Sequence, residues 1–138
     1  MKCHQILYES VATSLMKLED VISLLKKCNQ QNYENGLSGL LVFHNHRFMQ
    51  LLEGRKSSID FIMQKIGNDP RHSNLEILHE SESTERTMGA WTMAFTMDSN
   101  NLEALSDQPF FLSLADAREI SGTMNRELSQ HLTRFLAA

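Results

Sequence analysis

Three polar side chains stand at positions where the sequence pattern predicts buried apolar ones. Asn32 follows Leu25 by seven residues on the apolar stripe of a predicted helix, and Tyr8 and Gln50 share strand faces with apolar residues. A buried phenol or carboxamide costs a few kcal/mol unless it finds hydrogen-bond partners. One interpretation is that these groups satisfy one another or cap backbone groups. The other is that they line an apolar pocket and bind a polar, planar ligand.

A second polar group, Asp69, Arg71 and His72, stands in a turn that follows a predicted helix carrying Lys65. Guanidinium, imidazole and ammonium groups in one place favour a phosphate-binding site. A solvated turn with a local Asp–Arg ion pair accounts for the same residues, and composition alone favours that interpretation. The two histidines of a predicted hairpin turn lack a third ligand, so no metal site is predicted.

The elements that must position these side chains follow a β-α-β-β-α-β-β order. Helical spacing of apolar residues predicts two helices, and runs of strand-forming residues predict the strands. The predicted strands are His4–Ser10, Ser38–His44, Arg47–Glu53, Leu75–Ser83 and Ala90–Met97, and the predicted helices are Lys17–Tyr33 and Ser57 or Ser58 to Gly67. This order predicts an α+β fold of the ferredoxin-like type, a mixed sheet with two helices on one face.

Both faces of the predicted sheet are apolar. Successive strand residues point to opposite faces, so even and odd residue numbers are taken to mark the two faces. On this basis Leu40 and Val42 share the face of Tyr8 and Gln50, and Leu41 lies on the other face. The two helices cover one face, so the second face must be covered as well. A dimer contact could cover it. The C-terminal segment is the expected cover, with Phe110, Phe111 and Leu112 followed by a helix whose apolar stripe is Ile120, Met124, Leu128, Leu132 and Phe135.

Length and composition are those of an ordinary globular chain. The 138 residues are 22% charged, with a formal net charge of −4 and a sequence pI of about 5.8. This charge argues against nucleic acid as a partner, because phosphate neutralisation needs a basic surface. No apolar run could span a membrane and the N-terminus resembles no signal peptide, so a cytoplasmic protein without membrane contact is expected. Cys3 and Cys28 are expected to be reduced, buried thiols.

A series of short motifs runs from Ile6 to Phe95. In order they are Leu7-Tyr8-Glu9-Ser10, Cys28-Asn29-Gln30-Gln31-Asn32 before Gly36-Leu37-Ser38-Gly39-Leu40-Leu41, Phe48-Met49-Gln50-Leu51-Leu52-Glu53-Gly54, Asp69-Pro70-Arg71-His72, and Trp91-Thr92-Met93. Each motif alone is unspecific. Together, with Tyr8, Asn32 and Gln50 at this spacing, they resemble the BLUF family, the blue-light sensors that use FAD.

The resemblance implies a noncovalent FAD held between the two helices, above the sheet, with no catalytic residue and no metal. Tyr8 and Gln50 match the photoactive pair, and Trp91 and Met93 match the strand that carries the signal. The implied flavin contacts are Tyr8 and Gln50, the ring ligand Asn32 with Gln31 beside it, the apolar walls Leu24, Phe48 and Ile66, and, near the ribityl and phosphate end, Lys65, Asp69, Arg71 and His72.

The function that this resemblance implies is that of a photoreceptor and not of an enzyme. Residues 1–98 would form the flavin-binding domain, and residues 99–138 a helical extension that packs on the sheet or makes an oligomer or partner contact. Proton-coupled electron transfer between Tyr8 and the flavin would rearrange the hydrogen bonds of Gln50. The tail after Met97 is too short for an attached catalytic domain, so the signal is expected to pass to a separate signalling protein or through a homo-oligomer.

Other functions stay open at this point. A flavin-dependent oxidoreductase would use the same cofactor, although nothing resembling a nicotinamide site accompanies the flavin positions. A flavin module without photoactivity and a flavin-free interaction module are further alternatives. A small hydrolase of the acylphosphatase type would need an arginine just after the first strand, and the segment Val11-Ala12-Thr13-Ser14 has none.

Overall fold

The predicted order of helices and strands is confirmed. The computed structural model describes residues 2–15, 17–89, 94–97, 111 and 113–137. Its elements in chain order are β1 (Cys3–Ala12), α1 (Leu18–Glu34), β2 (Ser38–His44), β3 (Arg47–Gly54), α2 (Lys56–Gly67), β4 (His72–Ser83), β5 (Ala94–Met97), α3 (Leu114–Thr123) and α4 (Arg126–Ala137). In the described part of the chain, no helix is both long and apolar enough to cross a membrane.

The strands form one five-stranded sheet in the order β4-β1-β3-β2-β5, as the ferredoxin-like prediction requires. β5 runs parallel to β2, and the other neighbours are antiparallel. β4 begins at His72, three residues before the predicted start. The predicted start of α2 at Ser57 or Ser58, with that serine as the cap, is wrong, because the helix begins at Lys56 and its N-cap residue, Arg55, makes no side-chain capping bond.

The tight turn between β2 and β3 decides which side chains face the helices. Asn45 and His46 both have positive φ, 52° and 64°, which is the backbone of a two-residue type I′ hairpin turn. This turn pairs Leu41 with Gln50 and Val42 with Met49. Cross-strand partners point to the same face, yet each β2–β3 pair joins an even-numbered residue to an odd-numbered one. The prediction that assigned β2 side chains to faces by residue number alone was therefore wrong. Leu41 lies on the face of Gln50.

Each face of the sheet has its own apolar core. The first core lies between the sheet and α1 and α2, and includes Ile6, Val21, Leu25, Leu41, Phe48, Leu52, Ile59 and Ile62. The second core lies under the C-terminal helices and includes Leu7, Leu40, Val42, Met49, Leu51, Met88, Leu128, Leu132 and Phe135. Helices therefore cover both faces.

The C-terminal segment differs in two details from the prediction. The predicted single apolar stripe belongs to two helices, since α3 ends at Thr123 and α4 begins at Arg126. Asn125 causes this restart, because its side-chain oxygen accepts a hydrogen bond from the Leu128 backbone N–H at 2.9 Å. Phe111 packs against the first core and not against the second.

A buried carboxylate fastens the segment that precedes β5. Glu53, at the end of β3, is 0% exposed. Its oxygens accept hydrogen bonds from Gln5 Nε2 (3.0 Å), Ser38 Oγ (3.0 Å), Thr87 N (2.8 Å) and Met88 N (2.6 Å). Two of these donors are backbone groups of the β4–β5 connection, so Glu53 ties this connection to the sheet and holds Met88 in the second core.

Replacing Glu53 with alanine is expected to lower the free energy of unfolding by about 3 kcal/mol, since each buried donor left unpaired costs about 1–3 kcal/mol. Urea denaturation measures this loss. Glu76→Ala is the matched control, because Glu76 is exposed on β4 and its loss should change stability little. Equal stability of the two variants would contradict the anchoring role of Glu53.

Candidate functional site

A cavity of about 430 Å³ lies between the first face of the sheet and helices α1 and α2. This volume is within the range of small-molecule sites, roughly 300–1,000 Å³. Strands β1 to β4, helices α1 and α2 and the turn after α2 all contribute to its wall. The lining residues are Tyr8, Leu24, Lys27, Cys28, Gln31, Leu41, Phe48, Gln50, Lys65, Ile66, Asn68, Asp69, Arg71 and His72.

All residues predicted to contact the cofactor line this cavity, except Asn32. Asn32 is buried one position beyond Gln31, near the end of α1, and its backbone carbonyl accepts a hydrogen bond from the Leu37 N–H at 2.8 Å. Its role as a ligand of the flavin ring stays a prediction. Trp91 and Met93, predicted to take part in the photoresponse, lie outside the described residues.

The cavity also contains four residues that the sequence prediction missed: Lys27, Cys28, Leu41 and Asn68. A signal for two of them was present. Lys27 and Cys28 lie three and four positions after Leu24, and Gln31 lies a further turn along, so all share one face of α1. Leu41 was missed because the parity count placed it on the wrong face.

The floor of the cavity is a hydrogen-bonded pair of side chains on neighbouring strands. β1 and β3 place Tyr8 opposite Gln50, and the Tyr8 hydroxyl donates to Gln50 Oε1. Both residues are buried, with 4% and 3% of their surface exposed. Burial raises the pKa of Tyr8 well above its usual value, so the phenol keeps its proton at neutral pH.

His72 closes one side of this floor. Its Nε2 donates to the carbonyl oxygen of Ile66 at 2.6 Å, since a carbonyl only accepts, and its Nδ1 contacts Ser10 Oγ at 2.7 Å. The ring lies edge-on to Phe48, with centroids 6.3 Å apart, and 6.3 Å from the Tyr8 ring. These contacts fix the imidazole between the end of α2 and the strand that carries Tyr8.

The turn between α2 and β4 adds a charged pair to the cavity wall. Arg71 Nη2 donates to Asp69 Oδ2 at 2.5 Å and Arg71 Nε donates to both carboxylate oxygens at 3.0 Å. These bonds hold the pKa of Asp69 below its usual value. The local Asp69–Arg71 ion pair that one interpretation of the sequence predicted is therefore present, and both of its residues also line the cavity. Lys27 and Lys65 are exposed and also line the cavity, so cationic side chains outnumber the single carboxylate among the lining residues, and we call these cations the cationic rim.

Cys28 lies on the α1 wall of the cavity. Burial raises its pKa to about 11, so the side chain is a neutral thiol near pH 7. It adds to the apolar wall formed by Leu24, Phe48 and Ile66. The cavity thus combines apolar walls, a buried hydrogen-bonded floor and a cationic rim, which suits a planar ring with an anionic tail.

Residues 3–94 match the family model described as BLUF, sensors of blue-light using FAD. Among curated relatives, the photoactivated adenylate cyclase subunit beta of Euglena gracilis is 38% identical over 63 residues, which are 46% of this chain and 7% of the relative. The blue light- and temperature-regulated antirepressor BluF of Escherichia coli is 36% identical over 59 residues, 43% of this chain and 14% of the relative. The chain therefore spans a small part of either relative.

Two solved structures match almost the whole chain. The dark-state structure of BlrB, a BLUF protein, superposes with a TM-score of 0.71 at 22% identity and covers 99% of this chain and 96% of its own. The photo-activated state of BlsA gives a TM-score of 0.70 at 23% identity, with the same coverage of 99% and 96%. At this identity the likeness establishes the fold alone.

Proposed function

This chain belongs to the BLUF family, the sensors of blue light that use FAD, and we propose that its flavin lies in the cavity between the sheet and helices α1 and α2. The lining chemistry fits FAD. Apolar side chains suit the flat faces of the ring, the carboxamides of Gln31 and Gln50 suit its polar edge, and the cationic rim suits the phosphates. The observation that carries the proposal is the Tyr8–Gln50 hydrogen bond on the cavity floor.

The residue types on this floor define what the site does with light. Bound FAD supplies a ring that absorbs blue light and accepts an electron when excited. Tyr8 carries an oxidisable phenol whose proton points at Gln50 Oε1, so electron loss from Tyr8 releases a proton directly to that oxygen. A carboxamide has a donor end and an acceptor end, so Gln50 stores the event as a changed set of hydrogen bonds.

The test of this proposal is the light-minus-dark absorption spectrum of the purified chain supplied with FAD. We expect a yellow protein whose flavin band moves slightly to the red in blue light and returns in the dark. A new hydrogen bond to the flavin would change the energy of the lit arrangement by about 1 kcal/mol. A protein that stays colourless with FAD, or whose spectrum ignores light, would refute the proposal.

The cationic rim leads to a prediction on cofactor choice. Lys65→Gln is expected to weaken FAD binding about threefold at low salt, since an exposed charge pair is worth up to about 1 kcal/mol. Binding of riboflavin, which lacks phosphates, should not change, and high salt should remove the FAD effect. Fluorescence titration measures both affinities. Lys26→Gln is the control, because Lys26 is exposed on α1 and does not line the cavity.

We further propose that the chain has no catalytic output of its own and signals through a separate protein or a second copy. The C-terminal helices pack on the second face of the sheet, where Leu128, Leu132 and Phe135 join the second core. The relatives have different outputs by name, an adenylate cyclase in one and an antirepressor in the other. Light scattering in darkness and in blue light measures whether copies associate, and a mass of one chain under both conditions would contradict self-assembly.

A further inference from the structure

Two polar contacts join α4 to the sheet beside Tyr8, one an Arg–Glu ion pair and the other a contact between a histidine and a carboxylate. Arg134 Nη2 lies 3.8 Å from Glu9 Oε2, and Glu127 Oε2 lies 3.1 Å from His79 Nδ1. Glu9 follows Tyr8 in β1, and His79 on β4 is the cross-strand partner of Leu7, which precedes Tyr8. The helix is therefore attached on both sides of the residue that forms the cavity floor.

The pairing of β1 with β4 is irregular at this point. The register shifts between Leu7 and Tyr8 and again between Glu9 and Val11, whereas β1 pairs with β3 without interruption from His4 to Val11. The first shift leaves Leu78 without a cross-strand partner, and its side chain packs against the second core, beneath α4. Bulges of this kind concentrate next to functional sites, where they redirect side chains.

Glu9 connects three elements. It is 7% exposed, and its Oε1 accepts a hydrogen bond from Arg47 Nη2 of β3 at 2.8 Å, while Oε2 faces Arg134 of α4. A carboxylate this deeply placed requires cationic partners. Consecutive strand residues point to opposite faces, so Tyr8 faces the cavity while Glu9 faces the C-terminal helices. The β1 backbone therefore connects the cavity floor at Tyr8 to the Glu9–Arg134 contact.

We propose that these two contacts form a clamp by which α4 holds the segment Leu7–Glu9, so that Glu9 and His79 are positioning residues for Tyr8. The clamp favours the dark arrangement of the Tyr8–Gln50 pair, and the light-driven change at Gln50 loosens α4. This inference rests on the proposed function, because it assumes a photoresponse at Tyr8 and Gln50. The coupling runs in both directions, so a weakened clamp must also alter the lifetime of the lit state.

The first experiment removes the clamp from the helix side. The double variant Arg134→Gln/Glu127→Gln removes the charged partner that α4 supplies to each contact and leaves the net charge unchanged. The double variant Arg126→Gln/Glu119→Gln is its control, since both residues are exposed on α4 and α3 and form no ion pair within the described ranges. We expect dark recovery to slow about two- to fivefold in the clamp variant, because an exposed ion pair contributes up to about 1 kcal/mol. The control should recover at the original rate.

The second experiment follows α4 itself by hydrogen–deuterium exchange, in darkness and under steady blue light. In the unaltered chain, light should lower the protection of α4 amides. In the clamp variant, α4 should be less protected in darkness already, and light should add nothing. If the two contacts only stabilise the structure, the α4 amides should be less protected in the clamp variant. Exchange in the unaltered chain should then not depend on light.

The outcomes separate the clamp from the photoresponse. Unchanged or faster recovery in the clamp variant, or α4 exchange that ignores light while the flavin spectrum still shifts, would overturn the clamp and leave the proposed function intact. Absence of any light-induced shift in the unaltered chain would overturn both.

Discussion

Tyr8→Phe is expected to leave the chain yellow and flavin-bound but without its light-induced absorption shift. The substitution removes one hydroxyl and keeps the ring, so packing in the cavity is preserved. Without the phenol there is neither an oxidisable donor nor a proton to pass to Gln50 Oε1. The loss should be complete, because the other tyrosine of the chain, Tyr33, is 77% exposed and does not line the cavity.

Tyr33→Phe is accordingly the matched control, with the same chemical change at a distant position and an unchanged light response. Absorption spectra before and after illumination measure both variants, and FAD titration checks that both bind the cofactor. A normal shift in Tyr8→Phe would remove the tyrosine from the mechanism.

The protonation state of Tyr8 adds a pH dependence to this expectation. Because burial raises the pKa of Tyr8 well above its usual value, the phenol carries its proton from about pH 6 to about pH 9. The size of the light-induced shift in the unaltered chain should therefore stay constant over that range. At higher pH the unfolded chain loses this proton first, so stability must fall as pH rises above about 10, the usual tyrosine pKa.

The sequence was sufficient for the fold and for most of the cavity wall. The positions of Tyr8 and Gln50 follow from strand pattern and motif spacing, and β2 was predicted with its observed bounds. The face of Leu41 was not predictable by parity, because it depends on the turn residues Asn45 and His46, which set the pairing register. Helical spacing along α1 did contain the signal for Lys27 and Cys28.

Polar contacts between residues far apart in the chain could not be predicted from the local sequence pattern. Glu9 and Arg134 are nearly a chain length apart in the sequence. In the sequence Glu9 is an ordinary polar residue of a predicted strand, and only the folded structure shows that the sheet and α4 bury it. Glu53 is similar, since its partners Thr87 and Met88 come from an irregular connection. Periodicity detects burial of a face, whereas these polar contacts depend on the tertiary arrangement of several elements.

Gln50→Leu is expected to abolish the light-induced shift and to lower the free energy of unfolding by about 2 kcal/mol. The leucine removes the acceptor of the Tyr8 hydroxyl, and that hydroxyl is then buried without this partner, at a cost of about 1–3 kcal/mol. Gln64→Leu on the exposed side of α2 is the control, since Gln64 lies outside the cavity wall. Urea unfolding in the dark, with FAD in fixed excess, compares the variants.

The double variant Tyr8→Phe/Gln50→Leu makes this test specific to the pair. Each single change already breaks the Tyr8–Gln50 hydrogen bond, and the double change breaks the same bond only once, so its loss should be smaller than the sum of the single losses by about 1 kcal/mol. Strictly additive losses would show that the hydrogen bond does not stabilise the folded chain. A light-induced shift in any of the three variants would show that the response does not need this pair, because the stored change would then reside in other hydrogen bonds of the cavity.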